Sequence, residues 1–205
     1  MSILNKISTA TGKQNETPNK ALADAILKKK DKKAIAELVE HLNNKNKTIQ
    51  SDCIKVLYEI GEKDPLLISP YYKEFISLLE NNNNRLVWGA MTALDCIAPL
   101  HTKEVYKVLP KLINIADKGS VITRDHLVNI MIHLIAAKYS DVFPLLLHQL
   151  HSCPTNQLPM YAENIFPIIN DKNKAAFVKV ISGRLKEIEK ESKRLRVEKV
   201  IRKLK

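Results

Sequence analysis

Aromatic side chains make up only 5% of this 205-residue sequence, which also has few glycines (five), three cysteines and a single tryptophan. Few glycines leave few positions for positive φ, so tight β-hairpins and phosphate-cradling loops are not expected. GKQNE (12–16) is not a P-loop, and no Ser, His and Asp set stands in a nucleophile-elbow context. Cys53, Cys96 and Cys153 are odd in number and widely spaced, which argues against a disulfide framework. No uninterrupted apolar run approaches the roughly 18 residues of a membrane span. The opening MSILNKISTATGKQNET lacks the apolar core of a signal peptide. The expectation is a reduced, cytoplasmic protein with no cofactor and no metal.

What is present favours helix. The chain is 45% apolar and 27% charged, ordinary for a folded domain. Leu, Ile, Ala, Lys and Glu dominate over aromatic residues. The net charge is +11, but it is unevenly placed. Residues 1–47 carry ten Lys and five acids, and residues 171–205 carry thirteen Lys/Arg and five acids. The stretch between them has ten bases and twelve acids, a net of −2. A groove that tracks a phosphate backbone needs Lys and Arg along it, so the central charge speaks against that use.

A repeat organises the chain. Ile35, Leu38, Val39 and Leu42 share one helical face at i, i+3, i+4, i+7. A step of 37 gives Tyr72, Phe75, Ile76 and Leu79, and a second gives Leu109, Leu112, Ile113 and Ala116. A step of 34 then gives Phe143, Leu146, Leu147 and Leu150. A second set runs in register with the first: Cys53, Val56, Leu57, Ile60, then Ala90, Ala93, Leu94, Ile97. It continues with Leu127, Ile130, Met131, Leu134 and then Tyr161, Asn164, Ile165, Ile168, where Asn164 is the polar exception. Two helices per unit, each repeated four times, predict a stack of hairpins, none with enough core to stand alone.

The punctuation agrees. Thr17-Pro18 reads as a helix cap followed by proline in the first turn, and Thr48, Ser120 and Asp171 as later caps. NNKNK (43–47) and NNNN (81–84) read as polar turns. Pro110 falls near the start of a first helix, which it is expected to bend.

The unit VLPKLINIADKGSVITRDHLVNIMIHLI (108–135) resembles a HEAT repeat: a Leu-Pro first helix, a turn containing Asp, then an aliphatic second helix. Asp117 and Arg124 stand where that family favours its turn Asp and second-helix Arg, whereas Gln50 and Val87 replace the Arg in neighbouring units. The resemblance covers about residues 32–205. It implies an all-α fold, a right-handed α-α superhelix (HEAT-like solenoid) of about five helical hairpins. The expected organisation is a flexible segment over 1–17 and a repeat domain over 18–205. That domain comprises a helix at 18–30 and hairpins at about 32–63, 65–100, 102–138, 140–170 and 172–205, the last a basic cap.

Candidate metal and acid–base groups are few. His148 and His151 with Cys153 have a spacing zinc could use, but no second ligand cluster accompanies them, so a solvated hairpin end is expected. In HEAT-like arrays second helices line the concave side. Positions opposite the second-helix core are Ser51, Lys55, Tyr58; Trp88, Thr92, Asp95; Asp125, Asn129, Ile132; and Pro159, Glu163, Phe166. Tyr58, Trp88, Ile132 and Phe166 are expected there as exposed apolar anchors, with Asp95, Asp125 and Glu163 as acidic flanks. The expected function is a non-enzymatic scaffold binding a protein or peptide partner on that face. The alternative is nucleic-acid binding, as in the DNA-glycosylase branch of HEAT-like proteins, where Trp88 with Asp95 or Asp125 would handle a base.

Overall fold

A computed structural model of the chain describes residues 2–12 and 15–204, and Met1, Lys13, Gln14 and Lys205 lie outside the described residues. All regular structure among them is helical. The chain divides into two compact units, Met1–Leu127 and Val128–Lys205, with the division inside one helix.

The first unit holds α1 (Ser8–Thr11), α2 (Thr17–Lys29), α3 (Lys32–Glu40), α4 (Lys47–Lys63) and α5 (Pro65–Ile68). It continues with α6 (Tyr72–Leu78), α7 (Asn84–Ile97), α8 (Thr102–Lys118) and the opening turns of α9 (Val121–Ala136). α4 is its centre, packed against α2, α3, α5 and α7. The second unit takes the rest of α9, α10 (Val142–Ser152), α11 (Leu158–Ile165), α12 (Lys174–Gly183) and α13 (Glu191–Lys203). There α11 and α12 both pack on α13.

Second-helix repeat positions form the core. Cys53, Val56, Leu57 and Ile60 are buried, as are Ala90, Ala93, Leu94, Ile97, Leu127, Ile130, Met131 and Leu134. Each Leu or Ile sheltered in this way contributes about 1.5–3 kcal/mol of hydrophobic stabilisation before ordering costs. The polar exception, Asn164, is exposed. First-helix positions are less complete: Tyr72, Ile76, Ile113, Phe143 and Leu147 are only half-buried. Between α4 and α7 the backbones approach closely at Gly89, where a Cβ would stand 2.4 Å from Ile54 Cγ1.

Asparagines start two of these helices, 37 residues apart. Asn46 Oδ1 accepts from the Thr48 N–H (2.9 Å), while Asn44 Oδ1 accepts from the Asn46 N–H (2.9 Å). Asn83 Oδ1 accepts from the Arg85 N–H (3.2 Å), and Asn81 Oδ1 from the Asn83 N–H (2.8 Å). The cap of α4 is therefore Asn46 rather than Thr48, since the amide oxygen reaches the free N–H groups of the first turn. Ser120 does cap: its Oγ accepts from the Thr123 N–H at 3.4 Å. Asp171 does not begin α12, whose preceding residue is Asn173. Thr17 and Pro18 both lie within the first turn of α2, which Glu16 precedes. α8 continues through Pro110 to Lys118.

The segment 1–17, of which Met1, Lys13 and Gln14 lie outside the described residues, makes tertiary contacts at the others. Ile7 is 1% exposed, the Ser8 N–H donates to Asn19 Oδ1 (2.9 Å), and the Thr9 N–H and hydroxyl both donate to Asp52 Oδ2 (2.7 and 2.6 Å). Glu37 Oε1 accepts from the Ser2 hydroxyl (2.6 Å) and the Ile3 N–H (2.9 Å). Carboxylates and an amide from α2, α3 and α4 take up polar groups that a four-residue helix cannot satisfy itself.

Candidate functional site

An open cleft of about 390 Å³ lies in the first unit. Its floor is the α4 face carrying Ser51, Asp52, Lys55 and Tyr58, beside the α7 face carrying Arg85, Trp88 and Thr92. Ile122 of α9 closes one side, and Ser8, Thr9, Asn15, Glu16 and Asn19 close another. Ser51, Lys55 and Tyr58 on α4, and Arg85, Trp88 and Thr92 on α7, lie three or four residues apart and so share one face of each helix. Tyr58 and Trp88, thirty residues apart in sequence, thus border one space.

Most charges around the cleft are engaged. Lys55 Nζ pairs with Glu59 (2.6 Å) and Glu16 (3.0 Å) and lies 4.6 Å from the centre of the Tyr58 ring. Burial would pull the Lys55 ammonium down, but hydrogen bonds to Glu59, Tyr58 and Glu16 outweigh it and hold the group above its ordinary range. Burial pushes the Tyr58 phenol up, against the lowering effect of Lys55. Asp52 receives Thr9 and also the Asn19 amide at 2.8 Å. Arg85 is the exception: it is exposed, and its guanidinium has no carboxylate partner among the described residues.

Beside the cleft, His126 links two α7 residues. Its Nε2 lies 2.9 Å from Thr92 Oγ1, and its Nδ1 lies 2.9 Å from Asp95 Oδ2. The order hydroxyl, imidazole, carboxylate resembles a nucleophilic triad. However, Thr92 Oγ1 also donates to the Trp88 carbonyl at 3.0 Å, and Thr92 is 6% exposed. Thr92 thus contacts both its own helix and the His126 ring, and with Asp95 it braces α7 against the first turns of α9.

The remaining sequence-chosen residues are differently placed. Tyr58, Trp88, Ile132 and Phe166 are half-buried rather than exposed, and lysine side chains lie over two of them, Tyr58 and Phe166. Phe166 is one case, with Lys203 Nζ 5.4 Å from its ring centre. Asp95, Asp125, Tyr58 and Trp88 belong to the first unit, and Ile132, Glu163 and Phe166 to the second. The acidic flanks are occupied: Asp95 by His126, and Glu163 by Arg196, whose Nε donates to Oε1 at 2.9 Å. The Arg196 guanidinium holds the Glu163 carboxyl below its ordinary range. Asp125 is half-buried. His148 and His151 are exposed, while the Cys153 thiol is buried and donates to the Leu150 carbonyl. Among the described residues, no three His, Cys, Asp or Glu side chains gather in a way that could hold a metal ion.

The N-terminal wall of the cleft is what sequence reasoning missed. Ile3, Leu4 and Ile7 at i, i+1, i+4 were its only signal.

No family model and no curated protein matches the chain. Its fold is nevertheless found among solved structures. Two engineered proteins with crystal structures from the Northeast Structural Genomics Consortium are similar to it. One has a TM-score of 0.63 at 15% identity, covering 100% of this chain and 99% of the other. The second has a TM-score of 0.60 at 14% identity, covering 100% and 97%. At such identities the likeness shows an all-helical fold and nothing about activity. Among the described residues no helix is long and apolar enough to cross a membrane.

Proposed function

We propose that this chain is a non-enzymatic binding module of HEAT-like architecture that takes a peptide segment of a partner protein in the first-unit cleft. The observation that carries this reading is the pairing of Tyr58 and Trp88 on one open space beside an unpaired Arg85. Half-buried aromatics with polar surroundings are the usual anchors of peptide recognition, since they add contact area without much ordering cost. Asp52 and Glu16 are already engaged, which leaves Arg85 as the charge a ligand would meet. The ligand is therefore a peptide with an aliphatic or aromatic anchor next to Asp or Glu, not a basic one.

The HEAT-like assignment draws support from the 37-residue recurrence of the asparagine caps and from Asp117, 3.8 Å from Arg124 across their turn. Nucleic-acid binding in the cleft has less behind it: Lys55 is neutralised by two carboxylates, which leaves Arg85 as the cation for a phosphate backbone.

Selection from a random displayed peptide library on the full chain tests the proposal. Enriched peptides should be apolar and acidic, and Trp88→Ala with Tyr58→Ala should weaken them at least about tenfold, or 1.4 kcal/mol. Arg85→Glu should remove the preference for acid, and Leu66→Ala, at an exposed site elsewhere, should change nothing. Selected peptides that bind the double variant as tightly as the unaltered chain would sink the reading.

A further inference from the structure

α13 has a divided surface. Val197, Val200 and Ile201 are buried against the second unit, so the apolar side of the helix is spent. The rest is cationic: residues 190–204 hold seven Lys/Arg against two Glu, a net of +5. Arg196, Lys199, Arg202 and Lys203 are exposed and fall on one face at i, i+3, i+6 and i+7. Arg196 is paired with Glu163, and Lys203 lies against Phe166. Lys190, Lys199 and Arg202 have no carboxylate within ion-pair distance among the described residues, although Lys199 acts with Arg196 on the Glu163 carboxyl.

Helix electrostatics explain only part of this. Arg202 and Lys203 are in the last turn, where cations complement the negative end of the helix. Lys190 and Lys193 flank the first turn, where a cation opposes the positive end, and Arg196–Lys199, Lys199–Arg202 and Lys199–Lys203 set like charges at repelling spacings. Glu191 in the first turn, the Arg194–Glu198 pair and Glu163 offset part of this repulsion, and an anion lying along the exposed face would offset more.

We infer that the outer face of α13 binds the phosphate backbone of a duplex nucleic acid. Thirteen helical residues extend about 20 Å, with cations at each turn. A duplex presents one negative charge per roughly 1.7 Å of its axis, so several phosphates meet that length at once. An anionic membrane fits less well. Leu195 is the one large apolar side chain that α13 exposes, and interfacial helices hold by burying an apolar face that here is already covered. The lysines around the α2–α3 turn (Lys28, Lys29, Lys30, Lys32, Lys33) are divided between the end of one helix and the start of the next instead of lining a single one, which makes them the matched comparison.

The test is fluorescence anisotropy of the full chain with a 20-base-pair DNA duplex, the same duplex as RNA, and phosphatidylserine vesicles, across a salt series. Duplex binding should weaken with salt, with a log–log slope of about −3 or steeper. Lys199→Glu/Arg202→Glu/Lys203→Glu should flatten the slope by about three, whereas Lys28→Glu/Lys29→Glu/Lys30→Glu, an equal change in total charge, should barely alter it. Helicity and melting temperature are followed in parallel, and Lys199→Gln/Arg202→Gln/Lys203→Gln decides the matter if the charge reversal unfolds. Equal losses from both lysine sets would overturn the assignment to α13. Binding to vesicles without binding to either duplex would overturn the choice of partner.

Discussion

Cys53 and Cys96 carry thiols that the fold makes inert. Burial pushes each up to about 12, with Asp52 and Glu37 adding to the effect at Cys53 and Asp95 and Glu62 at Cys96. Only the thiolate is nucleophilic, so reactivity falls with its population. At pH 8 the folded chain should be alkylated by iodoacetamide at these two positions about a hundred- to a thousandfold more slowly than the unfolded chain. Peptide mapping by mass spectrometry resolves the sites, and fast labelling of Cys53 in the native protein would contradict its burial. Sequence alignment of the repeat already places Cys53 as a small core residue, because it takes the position of Ala90 and Leu127. The exposure of Tyr58 and Phe166 was not readable in the same way. Helical phase gives the direction of a ring, but the lysines lying over these two come from the same helix in one case and from residue 203 in the other.

At the scale of elements, the α4–α7 contact depends on a missing methyl group. A Cβ at Gly89 would meet Ile54 Cγ1 at 2.4 Å, Cγ2 at 2.8 Å and Cβ at 3.1 Å. Alanine is the better helix former by about 1 kcal/mol, yet forcing a methyl into a packed contact costs about 1–3 kcal/mol. Gly89→Ala should therefore destabilise the chain in urea titration, while in an Ile54→Ala background the same change should become neutral or stabilising. A gain from Gly89→Ala alone would show the helices free to separate. The second helices were legible in sequence because burial along them is nearly complete, which leaves an unbroken periodic signal. The N-terminal turns were not. They are too short to show a period, and their partners Glu37 and Asp52 stand more than thirty residues away, where no local pattern points to them.

For the molecule as a whole, acid is the condition to which this charge distribution is most sensitive. Glu37 is held below its ordinary value of 4.5 by the Ser2 hydroxyl and the Ile3 N–H, Glu163 by Arg196, and Glu187 by Arg184. A carboxyl lowered on folding stabilises the native state fully above its unfolded pKa. That contribution is lost as pH falls through the folded value. Stability should thus be level near neutrality and decline below about pH 4.5, where loss of 22 acidic charges also leaves 33 Lys and Arg repelling one another. Urea midpoints at pH 7, 4 and 3 measure this, and Arg196→Gln should reduce the decline. A midpoint unchanged down to pH 3 would remove these pairs from any role in stability.

The asparagine caps reach further than the helices they start. Asn83 Nδ2 also donates to the Lys47 carbonyl at 3.2 Å and to Gln50 Oε1 at 3.1 Å, so the residue that begins α7 also fastens it to the beginning of α4. The 37-residue step from Asn46 to Asn83 therefore contains both its own start signal and its attachment to the helix before it. Copying such a stretch in the gene would add a helix pair that arrives with its connector in place. A gain or loss of a few residues between Asn46 and Asn83 would instead put that start and that attachment out of register.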